Sequence, residues 1–207
     1  MKKLKIFLSF EKEQKWLEKM AAKGWQLNKQ RLLYTFVSSK PSTANIKIDY
    51  RYFKNENDFL EYRTLFEDSG WKHLSGTKFS GNQYFMQTSD TGGTDIFSDE
   101  SSKAARYQRL AYGMLSMICI FFSFVIISYN QGTLGLDAIT SPGELYLTPG
   151  LWELNGAEFW RAFLFETPFA LMRGVSAIFG LLMFFGCVFL TAKSWALHRK
   201  AAKASDI

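Results

Sequence analysis

Few side chains in this sequence stand in a pattern that supports chemistry. Histidine occurs twice, and only His73 lies in the polar N-terminal half. Nucleophilic catalysis needs a nucleophile beside a positioned base, and one histidine among scattered serines has no such spacing. His73 therefore reads as a partly buried strand residue. Asp49 and Arg51 are two apart on an alternating segment, share one face, and read as a surface ion pair. Gly92-Gly93 lacks the strand–helix frame and the Lys-Ser/Thr pair of a phosphate loop. Cys119 and Cys187 fall inside apolar runs, and no Cys/His set has metal-ligand spacing. The expectation is a protein that is not an enzyme, with no cofactor and no metal site.

The pattern that does stand out is electrostatic. Lys12, Lys15, Lys19 and Lys23 recur at three- and four-residue spacing, a stripe along one helix. Beside an anionic leaflet each lysine adds about 1 kcal/mol, so the stripe is a candidate for docking on membrane lipid or on an acidic protein partner, a regulator or another membrane protein. Residues 1–100 carry 16 basic and 13 acidic groups, far from the footprint of a nucleic-acid binder. Lys78-Phe79-Ser80-Gly81 is only a superficial echo of a base-stacking signature. No nucleic-acid partner is expected.

Leu110–Tyr129 and Gly174–Ala192 contain no Asp, Glu, Lys or Arg. As helices each spans about 30 Å, the thickness of a bilayer's hydrocarbon core. Lys103, Arg106 and Arg109 precede the first run, and Lys193, Arg199, Lys200 and Lys203 follow the second. Over residues 130–168, Arg161 stands alone against Asp137, Glu144, Glu153, Glu158 and Glu166. The positive-inside rule then places both termini in the cytoplasm. The start of the chain resembles a signal peptide only until Glu11, Lys12, Glu13 and Lys15 interrupt it. Trp152, Phe159, Trp160 and Phe163 can share one face of a helix lying at the outer interface, with Pro168 bending or breaking the chain before the second span. Arg173, at that span's outer end, is placed to reach the headgroups.

The polar half reads as strand Leu4–Phe10, a helix over Glu11–Lys23 capped by Ser9 and ended by Gly24, and a strand region Trp25–Val37. Alternation over Ile46–Phe53 gives the clearest half-buried strand. A second helix starts near Asn55 or Asn57 and ends at Gly70, followed by strands Trp71–Thr77 and Gln83–Gln87. Trp16-Leu17-Glu18 before Gly24-Trp25, and Phe59-Leu60-Glu61 before Gly70-Trp71, form a short repeat in which the second helix is about one turn longer. The predicted class is α+β: a ferredoxin-like antiparallel sheet with two helices on one face, followed by two transmembrane α-helices. Its expected parts are a cytoplasmic domain (1–90), a juxtamembrane linker (91–109), spans at 110–129 and 169–192, an extracytoplasmic loop (130–168) and a basic tail (193–207).

Glu13, Trp16-Leu17, Met20-Ala21, Lys23-Gly24-Trp25-Gln26-Leu27, Ile48-Asp49-Tyr50-Arg51-Tyr52, Glu67-Asp68-Ser69-Gly70-Trp71 and Asp95-Ile96-Phe97-Ser98-Asp99 together resemble the bacterial domain-of-unknown-function family 2812 over about residues 5–109. Members often carry C-terminal helices and are often encoded beside PadR-type regulators. The resemblance implies a regulatory or sensing role at the membrane, and it brings no catalytic residue or cofactor. The functional expectation is a membrane-anchored cytoplasmic sensor or interaction module without catalysis. The alternative is an accessory subunit of a transport or export system, motivated by the aromatic outer loop and Arg173.

Overall fold

The computed structural model describes residues 1–89, 93–130 and 141–203, with the backbone alone described at 176 and 177. Asp137 and Gly92 lie outside the described residues. Two compact units are present: Met1–Tyr112 together with the chain from Thr191, and Gly113–Leu190.

In the first unit Ser9 caps helix α1 (Phe10–Ala22), its hydroxyl accepting from the Lys12 amide. Gly24 stops the helix at φ +80°, a left-handed conformation that glycine adopts without Cβ strain. Asn55 precedes α2 (Glu56–Asp68), and Gly70 stops it at φ +81°. Both helices are 13 residues long, so the longer second helix read from the sequence is corrected. The strands are β1 (Lys2–Lys3), β2 (Trp25–Gln30), β3 (Tyr34–Ser38), β4 (Ile46–Tyr50), β5 (Trp71–Ser75) and β6 (Asn82–Gln87). The expected strand Leu4–Phe10 is corrected: the paired residues are Lys2–Lys3, residues 4–9 form no strand, and Phe10 already begins α1.

The repeat is deeper than the sequence shows. The strands form two antiparallel sheets, ordered β1-β3-β2 and β4-β6-β5, each built from one strand–helix–strand–strand run. Lys2–Lys3 pair with Thr35 and Tyr34 as Ile48–Asp49 pair with Tyr84 and Gln83. A bulge leaves Asn28 out of the β2–β3 ladder, and the equivalent bulge leaves Leu74 out of β5–β6. The α+β class stands; the ladders form two three-stranded sheets where the ferredoxin-like plan requires one continuous sheet. Nor do the helices share a face. Tyr84 meets α1 through Glu13, while its neighbour Phe85 packs on Tyr62 and Phe66 of α2. Successive strand residues point to opposite faces, so α1 and α2 cover opposite faces of the second sheet. Helix α1 also packs on Leu27, Tyr34 and Phe36 of the first sheet.

Helix α3 (Glu100–Asn130, 31 residues) and helix α4 (Gly156–Lys203, 48 residues) are long and apolar enough to cross a membrane. Only 6% and 12% of their apolar windows are buried, unlike the core helix of a soluble protein. Helix α4 runs through Pro168, where a bend or a break was expected, so the chain is not broken there. The Thr167 hydroxyl donates to the Phe163 carbonyl beside the lost bond, a common accommodation of proline in apolar helices. In the second unit Gly180 lets α4 approach Phe124 of α3, since a Cβ there would lie 2.5 Å from the ring.

Candidate functional site

Charge is buried where the chain leads into the first long apolar helix. Asp99 caps α3 by accepting from the Ser102 amide at 2.6 Å, and this bond with those from the Ser101 and Ser102 hydroxyls holds its carboxyl down to about 2. Ala104, Tyr107 and Ala111 bury one face of the helix at and just before the start of its apolar run. Between them Arg106 is 0% exposed. Its guanidinium donates to Glu11 at 2.5 Å and to the Ile48 carbonyl at 2.9 Å, and lies within 5.3 Å of the Phe10, Phe97 and Tyr107 rings. With the Gln14 amide oxygen turned toward it, Gln14 accepts from Arg106 Nη1 at 3.2 Å and from the Ile48 amide at 2.8 Å. The Tyr107 hydroxyl donates to the other Glu11 oxygen, which also accepts from Ser9. Burial pushes the Glu11 carboxyl up, but the Ser9 and Tyr107 bonds and the Arg106 charge outweigh it and leave it below its ordinary value. Burial, with the bond to Glu11, pushes Tyr107 up to about 12.

One turn on, Arg109 donates to Asp49 at 2.5 Å and to the Tyr50 carbonyl at 2.6 Å. Asp49 is 2% exposed and also accepts from the Tyr62 hydroxyl at 2.9 Å. The Asp49–Arg51 ion pair read from the sequence is present at 3.8 Å, but its placement at the surface is corrected: Asp49 is buried, and its closer partner is Arg109. The cause is that β4 is covered on both faces, by α1 through Ile46, Ile48 and Tyr50, and by α2 and α3 over Asp49.

Beside Asp49 opens a cleft of about 730 Å³. Tyr62, Phe66 and Trp71 of the α/β fold form one wall, and Asp95, Phe97 and Arg109 form the other. Ile96 packs against the Phe59, Tyr62, Trp71 and Phe85 cluster, so of the apolar pair within Asp95–Asp99 it is Ile96 that docks there, while Phe97 lies 5.2 Å from the Arg106 guanidinium. His73 bonds Gln83 at 3.0 Å and packs against the Phe59 and Phe85 rings; burial depresses its pKa, more than the Gln83 bond raises it. Among the described residues the cleft therefore offers aromatic surface and a neutralised ion pair, and no unengaged base.

The predicted site residues fall into separate places. Lys12, Lys15, Lys19 and Lys23 are all exposed on α1, and among the described residues none of the four is in an ion pair. In the second unit Trp152 sits on a 3-10 turn (Leu151–Glu153), while Phe159, Trp160 and Phe163 open α4. The structure brings Trp152, Phe159 and Phe163 together around Tyr146, which stacks on Phe163 at 5.2 Å. Trp152 and Trp160 each remain 58% exposed. Arg173 turns back onto the Leu145 carbonyl at 2.6 Å and onto Glu166, which also accepts from Thr148.

Sequence reasoning missed a buried acid as well. Glu13 is 4% exposed and accepts from the Tyr34 and Tyr84 hydroxyls, each at 2.6 Å. Burial raises its pKa, and the two tyrosines only partly offset this. The signal was available: Glu13, Leu17 and Met20 repeat at helical spacing on the apolar arc of α1.

The family of proteins of unknown function designated DUF2812 matches residues 9–121, more than half of the chain and the whole docked stretch of α3. The chain belongs to this family. Neither the curated proteins nor the solved structures compared with it gave a match.

Proposed function

We propose that this family member is a non-enzymatic, membrane-anchored regulatory module whose cytoplasmic head binds a protein or small ligand in the Asp49 cleft. The observation that carries the reading is the pair of arginines on α3. Arg106 and Arg109 belong to the helix that continues into the first apolar run, and the head holds both guanidiniums. The cleft's second wall comes from the same stretch, so an occupant touches the head and the root of the helix together. Differential contact with docked and undocked arrangements is what lets a ligand shift such an equilibrium. With Asp49 engaged by Arg109 and Tyr62, binding is a better use of the cleft than proton transfer.

In this reading both termini are cytoplasmic. Because Arg106 and Arg109 are engaged by carboxylates, the orientation rests chiefly on Lys193, Arg199, Lys200 and Lys203. The test is affinity capture from solubilised membranes with the wild-type chain and with Phe66→Arg, which fills the cleft. A partner recovered by the wild type and lost with the variant supports the proposal. Recovery of the same proteins by both, or of none under several growth conditions, would sink it.

A further inference from the structure

The first unit holds a second groove, of about 740 Å³, lined in part by Glu11 and Tyr107. Its composition is amphiphilic and basic. Lys12 comes from α1, Lys103 from α3, and Lys193 and Lys200 from the last turns of α4. Lys193, Leu197 and Lys200 recur at helical spacing, so one face of α4 presents two ammonium groups flanking an apolar side chain. Of the two acids in the lining, Glu11 is engaged by Arg106, Tyr107 and Ser9, and Glu100 pairs with Lys103 at 3.2 Å. The surplus charge is therefore positive.

A separate observation concerns the lip. Leu4, Ile6 and Leu8 alternate along the chain before α1 and are 66%, 81% and 39% exposed. Between them Phe7 turns inward onto Trp16 and Tyr34. This apolar ridge borders the groove through Ile6 and Leu8. Ridge and lysines lie where the chain enters its first apolar run and leaves its second, with Tyr107 just before Leu110 and Lys193 just after Ala192. Exposed apolar side chains beside lysines are the composition of a surface that meets the headgroup layer.

We propose that this groove binds an anionic phospholipid of the inner leaflet, the phosphate facing Lys12 and Lys200 and the upper acyl chain lying along Leu197 and the Ile6–Leu8 ridge. This rests on the membrane-anchored reading and adds to it a defined lipid site, which narrows lysine docking from the whole α1 stripe to Lys12. A volume of this size is within the range of small-molecule sites, about 300–1,000 Å³. Charge complementarity selects an anionic over a zwitterionic headgroup, and the ridge selects a lipid over a free phosphate.

The test uses the full chain in nanodiscs holding equal amounts of phosphatidylglycerol and phosphatidylcholine, with the co-released lipid identified by native mass spectrometry. Wild type should retain phosphatidylglycerol preferentially. Lys12→Gln with Lys200→Gln should lower that preference roughly 25-fold, at about fivefold per lysine. Ile6→Ser should lower retention of both lipids. Both lysines are exposed, so the double variant keeps the fold, as an unchanged near-ultraviolet circular dichroism spectrum would verify. Equal preference in wild type and double variant would overturn the site. So would displacement of the lipid by soluble glycerol 1-phosphate, which would identify free phosphate as the occupant. Alkaline-carbonate extraction separates the two levels: a chain that washes off refutes membrane anchoring itself, whereas a resident chain without lipid preference refutes the groove alone.

Discussion

Replacing Arg106 with alanine should release the root of α3 from the head. Arg106 is fully buried, so the substitution removes its bonds to Glu11 and Ile48 and three ring contacts at once. Removing one partner of a buried ion pair costs about 3–5 kcal/mol. The Glu11 side chain is 42% exposed and regains water, so the lower end applies. Arg109 still holds Asp49, and docking is weakened rather than abolished. At about 1.4 kcal/mol per tenfold, the opening equilibrium of residues 100–111 should rise on the order of 10²-fold. Hydrogen-exchange mass spectrometry on the full chain reads this directly, as faster exchange of amides from Glu100 to Ala111 with little change in β6. Glu11→Met together with Arg106→Met should lose less than Arg106→Ala, because no buried group is left unpaired. Unchanged protection over residues 100–111 in Arg106→Ala would refute the claim that this arginine fastens the helix.

Three further outcomes follow from the geometry. The Glu13 pKa is raised above its ordinary 4.5, so the native state binds its proton more tightly; stability should be full below that value and fall as pH rises through the raised pKa, and Glu13→Gln should flatten this slope in denaturant titrations run across pH. Gly24→Ala should be more damaging than Gly70→Ala: both force a left-handed residue, at about 1–2 kcal/mol, but the Gly24 Cβ would meet the Ser39 backbone oxygen at 2.8 Å whereas the Gly70 Cβ meets the rotatable Ser89 hydroxyl. Thermal melts should show the first drop exceeding the second, at about 4–8 °C per kcal/mol; equal drops would contradict the contact argument. Arg173→Ala should free residues 142–148 from α4, read as faster limited proteolysis of that stretch with the α/β head unaffected.

Much of the scaffold was legible. Ser9, Gly24 and Gly70 marked helix limits because capping and left-handed turns demand particular residue types, whereas Asn55, one of two candidates for the start of α2, precedes it without a side-chain capping bond. The apolar runs were equally plain. The duplication was seen but misaligned: matching Trp16-Leu17-Glu18 to Phe59-Leu60-Glu61 followed residue likeness, whereas Tyr62 holds the place of Trp16 when the glycines are superposed. Alternation in β4 could not reveal Asp49 as buried, because a period of two separates faces without saying that both are covered. Arg106 and Arg109 have the composition of membrane-flanking charges, and only tertiary contacts with Glu11 and Asp49 distinguish an anchor to the head from an attraction to headgroups. The cleft joins residues from α2, β4, β5 and the approach to α3, a meeting no local pattern encodes.

The central claim is a cytoplasmic head tied to a helix that enters the membrane. Its most direct test is labelling of intact cells with a membrane-impermeant maleimide, in a chain with Cys119 and Cys187 replaced by alanine and one cysteine introduced at a time. Asn155→Cys should label in intact cells, and Lys40→Cys only after lysis. Labelling of Lys40→Cys in intact cells, or recovery of the chain in the soluble fraction, would contradict the account.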